Sequence, residues 1–278
     1  MGRRLGQHFL FDPAILDKIV AALFPEPDDV VLEIGSGKGT LTRRLATKVG
    51  RVITVETDPA LAAELLDRES ESPLPLNVSV EPGDALELDW HAMVESHASV
   101  SAGERPRFKA VGNIPYSITA PLIEKALQPP LPDVIVYLIQ REVADRLSAP
   151  PGTKTFGALS VGVQSVASVE RLFNVKPGSF SPPPAVESAV VRITPLPEPL
   201  VRESERLEFR RFVTAIFGQR RRQLSRALRT VVGGEKLVID AMLERLKLEP
   251  SVRPEVLEPA ELLRVFREVH GEPGSVDE

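Results

Sequence analysis

The sequence predicts an open, mostly parallel α/β sheet followed by a small all-helical domain. Strand-like and helix-like segments alternate over about the first two-thirds of the chain, which is typical of such a sheet. A glycine loop, Gly35-Ser36-Gly37-Lys38-Gly39, follows an early apolar strand. After the stiff linker Pro195-Leu196-Pro197-Glu198-Pro199, only helical periodicity remains. We therefore expect an α/β domain over residues 1–200 and a helical domain over residues 201–278.

The predicted strands are short apolar runs separated by turns or helical segments. They cover residues 30–34, 51–56, 77–81, 108–112, 134–139, 169–175 and 186–193. The last two are close in sequence, so we expect them to be antiparallel partners. Helices are predicted over residues 40–49 and 141–147, and another begins at Asp58-Pro59, where proline suits a first helical turn.

Composition excludes several classes of protein. A chain of 278 residues with 42% hydrophobic content can bury a large core. It has no cysteine, which removes disulfide frameworks, thiolate metal sites and cysteine nucleophiles. It also has no His-Glu-x-x-His pattern, so we expect no metal. No segment is long enough to span a bilayer and the start lacks the apolar stretch of a signal peptide, so we expect a cytoplasmic protein without a membrane partner. We also expect a monomer.

Charge is distributed unevenly along the chain. The net charge is −5, yet residues 209–229 contain seven arginines and no acidic residue. A basic segment on an acidic protein would attract a polyanion to one face. An ordinary solvated helix face is the alternative.

The glycine loop indicates the kind of ligand. A dinucleotide-binding fingerprint needs its third glycine where Thr40 stands, and a phosphate-binding Walker loop needs a Gly-Lys-Ser/Thr sequence that is absent. S-adenosylmethionine is the remaining common ligand of such a loop. Glu56 closes the second strand, 21 residues beyond Gly35, where a carboxylate can accept both ribose hydroxyls. Asp84 follows the third strand and could accept the amino group of the cofactor adenine; singly, each acid is more often a helix cap or a surface residue.

The turn Asn113-Ile114-Pro115-Tyr116 indicates methylation of a planar amine. The Asn113 side-chain oxygen and the Ile114 carbonyl can accept the two amine hydrogens. Pro115 disfavours a helical conformation at Ile114, and Tyr116 offers a flat face for a base. The same tetrapeptide also occurs in ordinary turns.

These residues resemble the KsgA-type ribosomal RNA adenine dimethyltransferases over nearly the whole chain. The resemblance rests on the glycine loop, on the Asn113 turn and on three further stretches, Gly6-Gln7-His8-Phe9-Leu10, Phe180-Ser181-Pro182-Pro183-Pro184-Ala185-Val186-Glu187-Ser188 and Phe217-Gly218-Gln219-Arg220-Arg221-Arg222. It implies a Rossmann-like class I methyltransferase. It also implies that two adjacent adenosines near the 3′ end of 16S ribosomal RNA, in the small ribosomal subunit, are dimethylated with S-adenosylmethionine.

The resemblance also assigns roles to individual residues. Cofactor contacts are expected from His8, Leu10, Gly35, Gly37, Glu56, Asp84 and Asn113. The catalytic turn is Asn113 to Tyr116, with Phe180 stacking on the other face of the base, and RNA contacts are expected from Arg220, Arg221, Arg222 and Arg226. Ser36 stands where proline is common in the family, and Glu187 where aspartate is common. By itself, one aromatic residue before three prolines is more often a packed turn.

Two other functions stay open from the residues alone. One is a methyltransferase for DNA adenine or a protein amide, since those enzymes use a similar turn. The other is a ribosome-assembly factor that keeps the fold and binds RNA without needing catalysis. We assign no general base, because the amine becomes acidic only after methyl transfer, when water can take its proton.

Overall fold

The computed structural model describes residues 7–67, 69–97 and 108–271. The chain divides into two compact units. One contains the described residues up to Ala144 together with Val169–Pro195, and the other contains Asp145–Ser168 and the described residues from Leu196 onward. The chain enters the second unit for the last time at Leu196, close to the predicted domain boundary near residue 200. The prediction assigned residues 145–168 to the α/β domain, whereas the structure places them in the second unit. Gly6 lies outside the described residues.

The first unit is built on a seven-stranded sheet, and two short strands pair beside it. The sheet order is β4-β3-β2-β5-β6-β9-β7, and β1 pairs with β8. The strands are β1 (Phe9–Leu10), β2 (Val30–Ile34), β3 (Arg51–Glu56), β4 (Val78–Pro82), β5 (Phe108–Asn113), β6 (Val134–Gln140), β7 (Ala167–Val175), β8 (Phe180–Ser181) and β9 (Ser188–Pro195).

Strands β2 to β6 are parallel, and β9 runs antiparallel to β6. The mostly parallel sheet is the predicted fold class. Strands β2 and β3 have the predicted bounds, and the other predicted strands differ by one or two residues at one end or at both. β7 and β9 are neighbours in the sheet, as expected.

The helices follow the strands in the alternation that a parallel sheet requires. Those that begin before residue 169 are α1 (Pro13–Ala22), α2 (Thr40–Ala46), α3 (Pro59–Leu66), α4 (Trp90–His97), α5 (Thr119–Ala126), α6 (Arg141–Leu147) and α7 (Ala158–Gln164). α3 begins at Asp58-Pro59 as predicted, and the Asp58 carboxylate caps it by accepting from the main-chain N–H of Ala60 at 2.9 Å. The predicted helix over residues 40–49 ends at Ala46.

One hydrophobic cluster of the first unit lies on the face of the sheet that α1 and α2 cover. Val31, Val111 and Val136 come from the central strands and pack with Leu16 and Leu45 of α1 and α2. Burial of these aliphatic side chains contributes about 1.5–3 kcal/mol each. The strands are apolar on both faces, as expected for parallel strands covered on two sides. The sheet therefore holds the carboxyl ends of its central strands rigidly.

The second unit is helical. After a single turn over Glu203–Glu205 come α8 (Arg206–Gly218), α9 (Leu224–Val232), α10 (Lys236–Arg245) and α11 (Pro259–His270). Phe209 and Phe212 of α8 pack against Phe266 of α11, with ring centroids 5.5 and 5.6 Å apart. Such aromatic pairs fix the helices relative to each other within this unit.

Candidate active site

Three of the predicted cofactor residues meet at the carboxyl ends of neighbouring strands. Gly35 follows β2, Glu56 ends β3 and Asn113 ends β5, and β2 lies between the other two. Ligands of open α/β sheets bind in the crevice at this edge. The cleft here is lined by Gln7, His8, Phe9, Gly35, Gly37, Glu56, Thr57, Asn113, Ile114, Pro115 and Tyr116. A second depression shares four of these residues and adds Leu10, Leu16, Ile19, Glu33, Ser36, Lys38, Thr40 and Leu41.

The glycine loop has a backbone that only glycine adopts easily. Gly37 has φ +53°, in the left-handed region. A Cβ atom at this position would lie 2.9 Å from the ring of Phe9. The loop therefore packs directly under the N-terminal strand, and the absence of side chains leaves its main chain open to the cleft.

Glu56 joins the glycine loop to the start of α3. One carboxylate oxygen accepts from the main-chain N–H of Gly37 at 2.8 Å, and the other accepts from that of Asp58 at 2.9 Å. The residue is buried, yet a carboxylate has about four acceptor positions. Two acceptor positions of the Glu56 carboxylate therefore remain for hydroxyl donors in the cleft, so Glu56 can bind the two hydroxyls of a ribose.

Asn113 is oriented by the N-terminal segment. Its side-chain nitrogen donates to the main-chain carbonyl of His8 at 2.8 Å. Because the nitrogen is engaged, the side-chain oxygen is the group left to accept a hydrogen from a ligand amine. The next residue, Ile114, donates its main-chain N–H to Leu138 at 3.0 Å, which continues the β5–β6 pairing into the turn. The turn is thus an extension of the rigid sheet.

Tyr116 and His8 form an aromatic side of the cleft. The Tyr116 hydroxyl bonds the Ser188 hydroxyl at 2.9 Å, and Nδ1 of His8 donates to the Pro182 carbonyl at 2.8 Å. The two rings have centroids 6.2 Å apart and planes inclined by 33°. Both rings are therefore held by the segment that follows Phe180.

The comparisons with known proteins decide the family. The model of the family described as ribosomal RNA adenine dimethylase matches residues 2–270. The chain belongs to this family. The predicted family, enzyme class and S-adenosylmethionine cofactor are thereby confirmed, and the glycine loop and Glu56 fit that cofactor.

Individual relatives cover most of the chain. The ribosomal RNA small subunit methyltransferase A of Synechococcus elongatus is 41% identical over 266 residues, covering 92% of this chain and 90% of the relative. The protein of the same name from Pseudomonas aeruginosa is 37% identical, covering 98% and 96%.

Solved structures show the same fold. A dimethyladenosine transferase from Plasmodium falciparum has a TM-score of 0.73 and 27% identity, covering 93% of this chain and 96% of that one. The 23S rRNA methyltransferase ErmE has a TM-score of 0.70 and 25% identity, covering 94% and 99%. The Rossmann-like class I methyltransferase fold with a helical C-terminal region is thus confirmed.

Two predicted site residues lie away from the cleft lining in this dimethylase. Phe180 is only 3% exposed and packs in the core beside Leu10, its partner in the β1–β8 pairing. Asp84 is exposed after β4, and one of its carboxylate oxygens accepts from the main-chain N–H of Leu86 at 2.8 Å. The burial of Phe180 favours a packing role over contact with a base. The Asp84 carboxylate caps a local turn. Their ligand roles stay predictions.

The predicted RNA-binding arginines fall into two groups. Arg220 forms an ion pair with Glu255 and donates to the Thr153 carbonyl at 2.9 Å, so it ties the helical unit together. Arg221, Arg222 and Arg226 are exposed. Adjacent arginines in one sequence motif therefore have different environments.

Sequence reasoning missed two polar residues that shape the site. Ser188 bonds the hydroxyl of Tyr116. In the sequence, only its position at the end of the stretch 180–188 could have indicated a role in the site. Glu33 is 1% exposed and accepts from the hydroxyls of Thr42 and Thr54 at 2.6 and 2.8 Å. Burial is the main cause that raises the pKa of Glu33 to about 7.

Two features are absent from residues 7–67, 69–97 and 108–271. No group of three or more histidine, aspartate or glutamate side chains could hold a metal ion there. No helix of that part of the chain combines the length and apolar character needed to cross a membrane.

Proposed function

We propose that the protein dimethylates the exocyclic amines of two adjacent adenosines near the 3′ end of 16S ribosomal RNA in the small ribosomal subunit. The observation that carries this proposal is the single cleft shared by the glycine loop, Glu56 and the turn Asn113 to Tyr116. The name of the relatives, ribosomal RNA small subunit methyltransferase A, supports the choice of subunit. The match to the dimethylase family supports the choice of adenine.

The cofactor would be held by groups already at the cleft. The main chain of Gly35 and Gly37 lies against it, and Glu56 accepts from ribose hydroxyls. His8 and Leu10 cover it from the N-terminal segment, and Asp84 binds the adenine from its place after β4. When bound, S-adenosylmethionine supplies an electrophilic methyl group on a sulfonium.

The Asn113 turn orients the substrate amine. The Asn113 oxygen and the Ile114 carbonyl accept the amine hydrogens, which favours positive charge developing on the nitrogen. Tyr116 stacks on the base, an interaction of about 1–3 kcal/mol. A paired adenine hides its amine, so the base must come from a loop or be extruded. No side chain need act as a general base, because water can take the proton.

The helical domain, residues 201–278, is proposed to bind the RNA. Arg221, Arg222 and Arg226 are exposed and can contact phosphates, whereas Arg220 is engaged by Glu255. Replacing Arg221 and Arg222 with alanine should weaken RNA binding and flatten its salt dependence. The matched control is Arg210→Ala, an arginine of the same basic segment outside the proposed contacts; equal losses in both proteins would contradict the assignment.

The direct test uses labelled S-adenosylmethionine and small subunits that lack the methylations. The wild type should place label on two adjacent adenosines near the 3′ end of the RNA, and Asn113→Ala should remove the label while S-adenosylhomocysteine still binds. Label elsewhere would refute the proposal. A factor that needs no catalysis would restore subunit assembly with the Asn113→Ala protein as well as with the wild type. We propose that the enzyme acts as a monomer in the cytoplasm, because its proposed substrate is ribosomal RNA.

A further inference from the structure

The order of the strands separates a cofactor side of the cleft from a substrate side. The glycine loop follows β2 and Glu56 ends β3, so the groups proposed to hold S-adenosylmethionine lie on one side of Asn113, at the end of β5. On the other side of β5 come β6 and then β9. A base whose amine is held by Asn113 cannot occupy the space of the cofactor. Its ring therefore lies over the ends of β6 and β9.

Gln140 ends β6 on this substrate side. In the antiparallel pairing of β6 with β9, Gln140 lies directly opposite Ser188. Residues that are directly opposed point to the same face of a sheet, with Cβ atoms about 4.5–5.5 Å apart. The Ser188 hydroxyl bonds the Tyr116 hydroxyl at 2.9 Å. Gln140 therefore lies on the face of the sheet to which the Tyr116 ring is tied.

Asn113 belongs to the same face. It lies opposite Leu138 in the parallel pairing of β5 with β6, and Leu138 and Gln140 are two positions apart on one strand, so they point to the same side. From a strand spacing of about 4.8 Å and a rise of about 3.3 Å per residue, the Cα atoms of Asn113 and Gln140 are about 8 Å apart. The long glutamine side chain bridges much of this distance, so its amide can reach the edge of a base held by Asn113.

The Gln140 amide is not used within the described fold. Its side chain is partly buried, and it makes no hydrogen bond within residues 7–67, 69–97 and 108–271. Its main chain is fixed, because the β6–β9 contact continues beyond it: the main-chain N–H of Arg141 donates to the Glu187 carbonyl at 3.0 Å. A donor on a fixed backbone, with no partner in the fold, is available to a ligand.

A base in this cleft needs one more polar contact to be held in one orientation. Stacking on Tyr116 fixes the plane of the ring, and the acceptors of Asn113 and Ile114 fix the amine. The base could still rotate within its plane about the amine nitrogen. In adenine, the ring nitrogens on either side of the amine, N1 and N7, are hydrogen-bond acceptors. One N–H donated to either of them would stop the rotation.

From this geometry we infer that Gln140 is a substrate-binding residue: its side-chain amide donates to a ring nitrogen beside the target amine and fixes the adenine within its plane. The contact aligns the amine with the methyl group, which is the positioning on which methyl transfer depends. This inference rests on the proposed function, because it requires an adenine in the cleft.

The first test replaces Gln140 with methionine, which keeps the length of the side chain and removes the amide. Methylation of undermethylated small subunits and calorimetric binding of S-adenosylhomocysteine are measured. Gln140→Met should lower kcat/KM for the subunits by about tenfold or more, because a ring nitrogen loses its donor. The dissociation constant of S-adenosylhomocysteine should stay within about twofold of the wild type. The matched control is Gln128→Met at an exposed position after α5, which should leave both quantities unchanged.

A second test separates contact with the base from a structural role. Small subunits are assembled with 1-deazaadenosine or 7-deazaadenosine at the target positions, so that one ring nitrogen is missing. On one of the two analogues the wild type should lose about tenfold more activity than Gln140→Met does, because the variant has no contact left to lose. Both proteins meet the same altered amine, so its changed reactivity cancels in this comparison.

Three results would overturn the inference. They are Gln140→Met methylating the subunits as well as the wild type, Gln140→Met weakening cofactor-product binding and methylation in parallel, and equal losses of the wild type and Gln140→Met on both analogues. A wild type that binds S-adenosylhomocysteine but never methylates unsubstituted subunits would instead refute the proposed function.

Discussion

Replacing Glu33 with glutamine should make the protein more resistant to unfolding above neutral pH. Glu33 lies next to the last residue of β2, and one of its oxygens accepts from the hydroxyls of Thr42 and Thr54. Burial is the largest cause that raises its pKa, and the neighbouring charge of Glu56 adds to it. Glutamine keeps an oxygen for both hydroxyls and carries no charge at any pH.

The magnitude follows from the pKa of Glu33, which is raised from 4.5 to about 7. Below pH 4.5 the carboxyl is protonated in both states, and its contribution to stability is complete. As the pH rises toward 7, the unfolded chain releases the proton and the folded protein keeps it, so stability falls. Above pH 7 the loss levels off at about 3 kcal/mol, from about 1.36 kcal/mol for each pH unit of the shift.

Urea unfolding of the wild type and Glu33→Gln at pH 5 and pH 8 measures this difference. The free energy of unfolding of the variant, relative to the wild type, should rise by about 2.5 kcal/mol between the two values. The exposed residue Glu64 provides a control, because Glu64→Gln removes a carboxylate from the surface of α3. If wild type and Glu33→Gln show the same dependence on pH, the carboxyl of Glu33 is not held protonated by burial.

Three further changes test other parts of the first unit. Gly37→Ala should cost about 1–2 kcal/mol in urea unfolding, because φ is +53° there, and should also weaken S-adenosylhomocysteine binding; unaltered binding would show that the loop adapts. Lys109→Met should cost about 3–5 kcal/mol by leaving buried Asp29 without the ammonium that lies 2.6 Å away, and adding Asp29→Asn should recover part of it; no recovery would locate the loss elsewhere. Tyr116→Phe should reduce methylation by only about threefold, since the ring stays and only the bond to Ser188 is lost; a loss as large as that of Tyr116→Ala would make the hydroxyl essential.

The central strands and the site residues on them could be predicted because local patterns determine them. Residues 30–34 and 51–56 are mainly apolar runs before a glycine or a helix cap, and both strands have the predicted bounds. Parallel neighbours place their carboxyl ends at one edge, so Gly35, Glu56 and Asn113 meet there.

Other features depend on contacts between distant residues and have no local signal. β1 and β8 are two residues each and exist only because they pair across about 170 positions. Whether Phe180 faces a ligand or the core is set by that pairing. Arg220 and Arg221 are adjacent in sequence, and contacts of Arg220 with the distant residues Glu255 and Thr153 distinguish them.

The pairing of β1 with β8 bears on how the enzyme is made. Phe9 and Leu10 leave the ribosome early, but their partners Ser181 and Phe180 follow only after most of the α/β unit has been translated. Until that late stretch emerges, nothing locks the imidazole beside the glycine loop. The nascent polypeptide therefore completes the aromatic side of the cleft only after residues 180–188 have been synthesised.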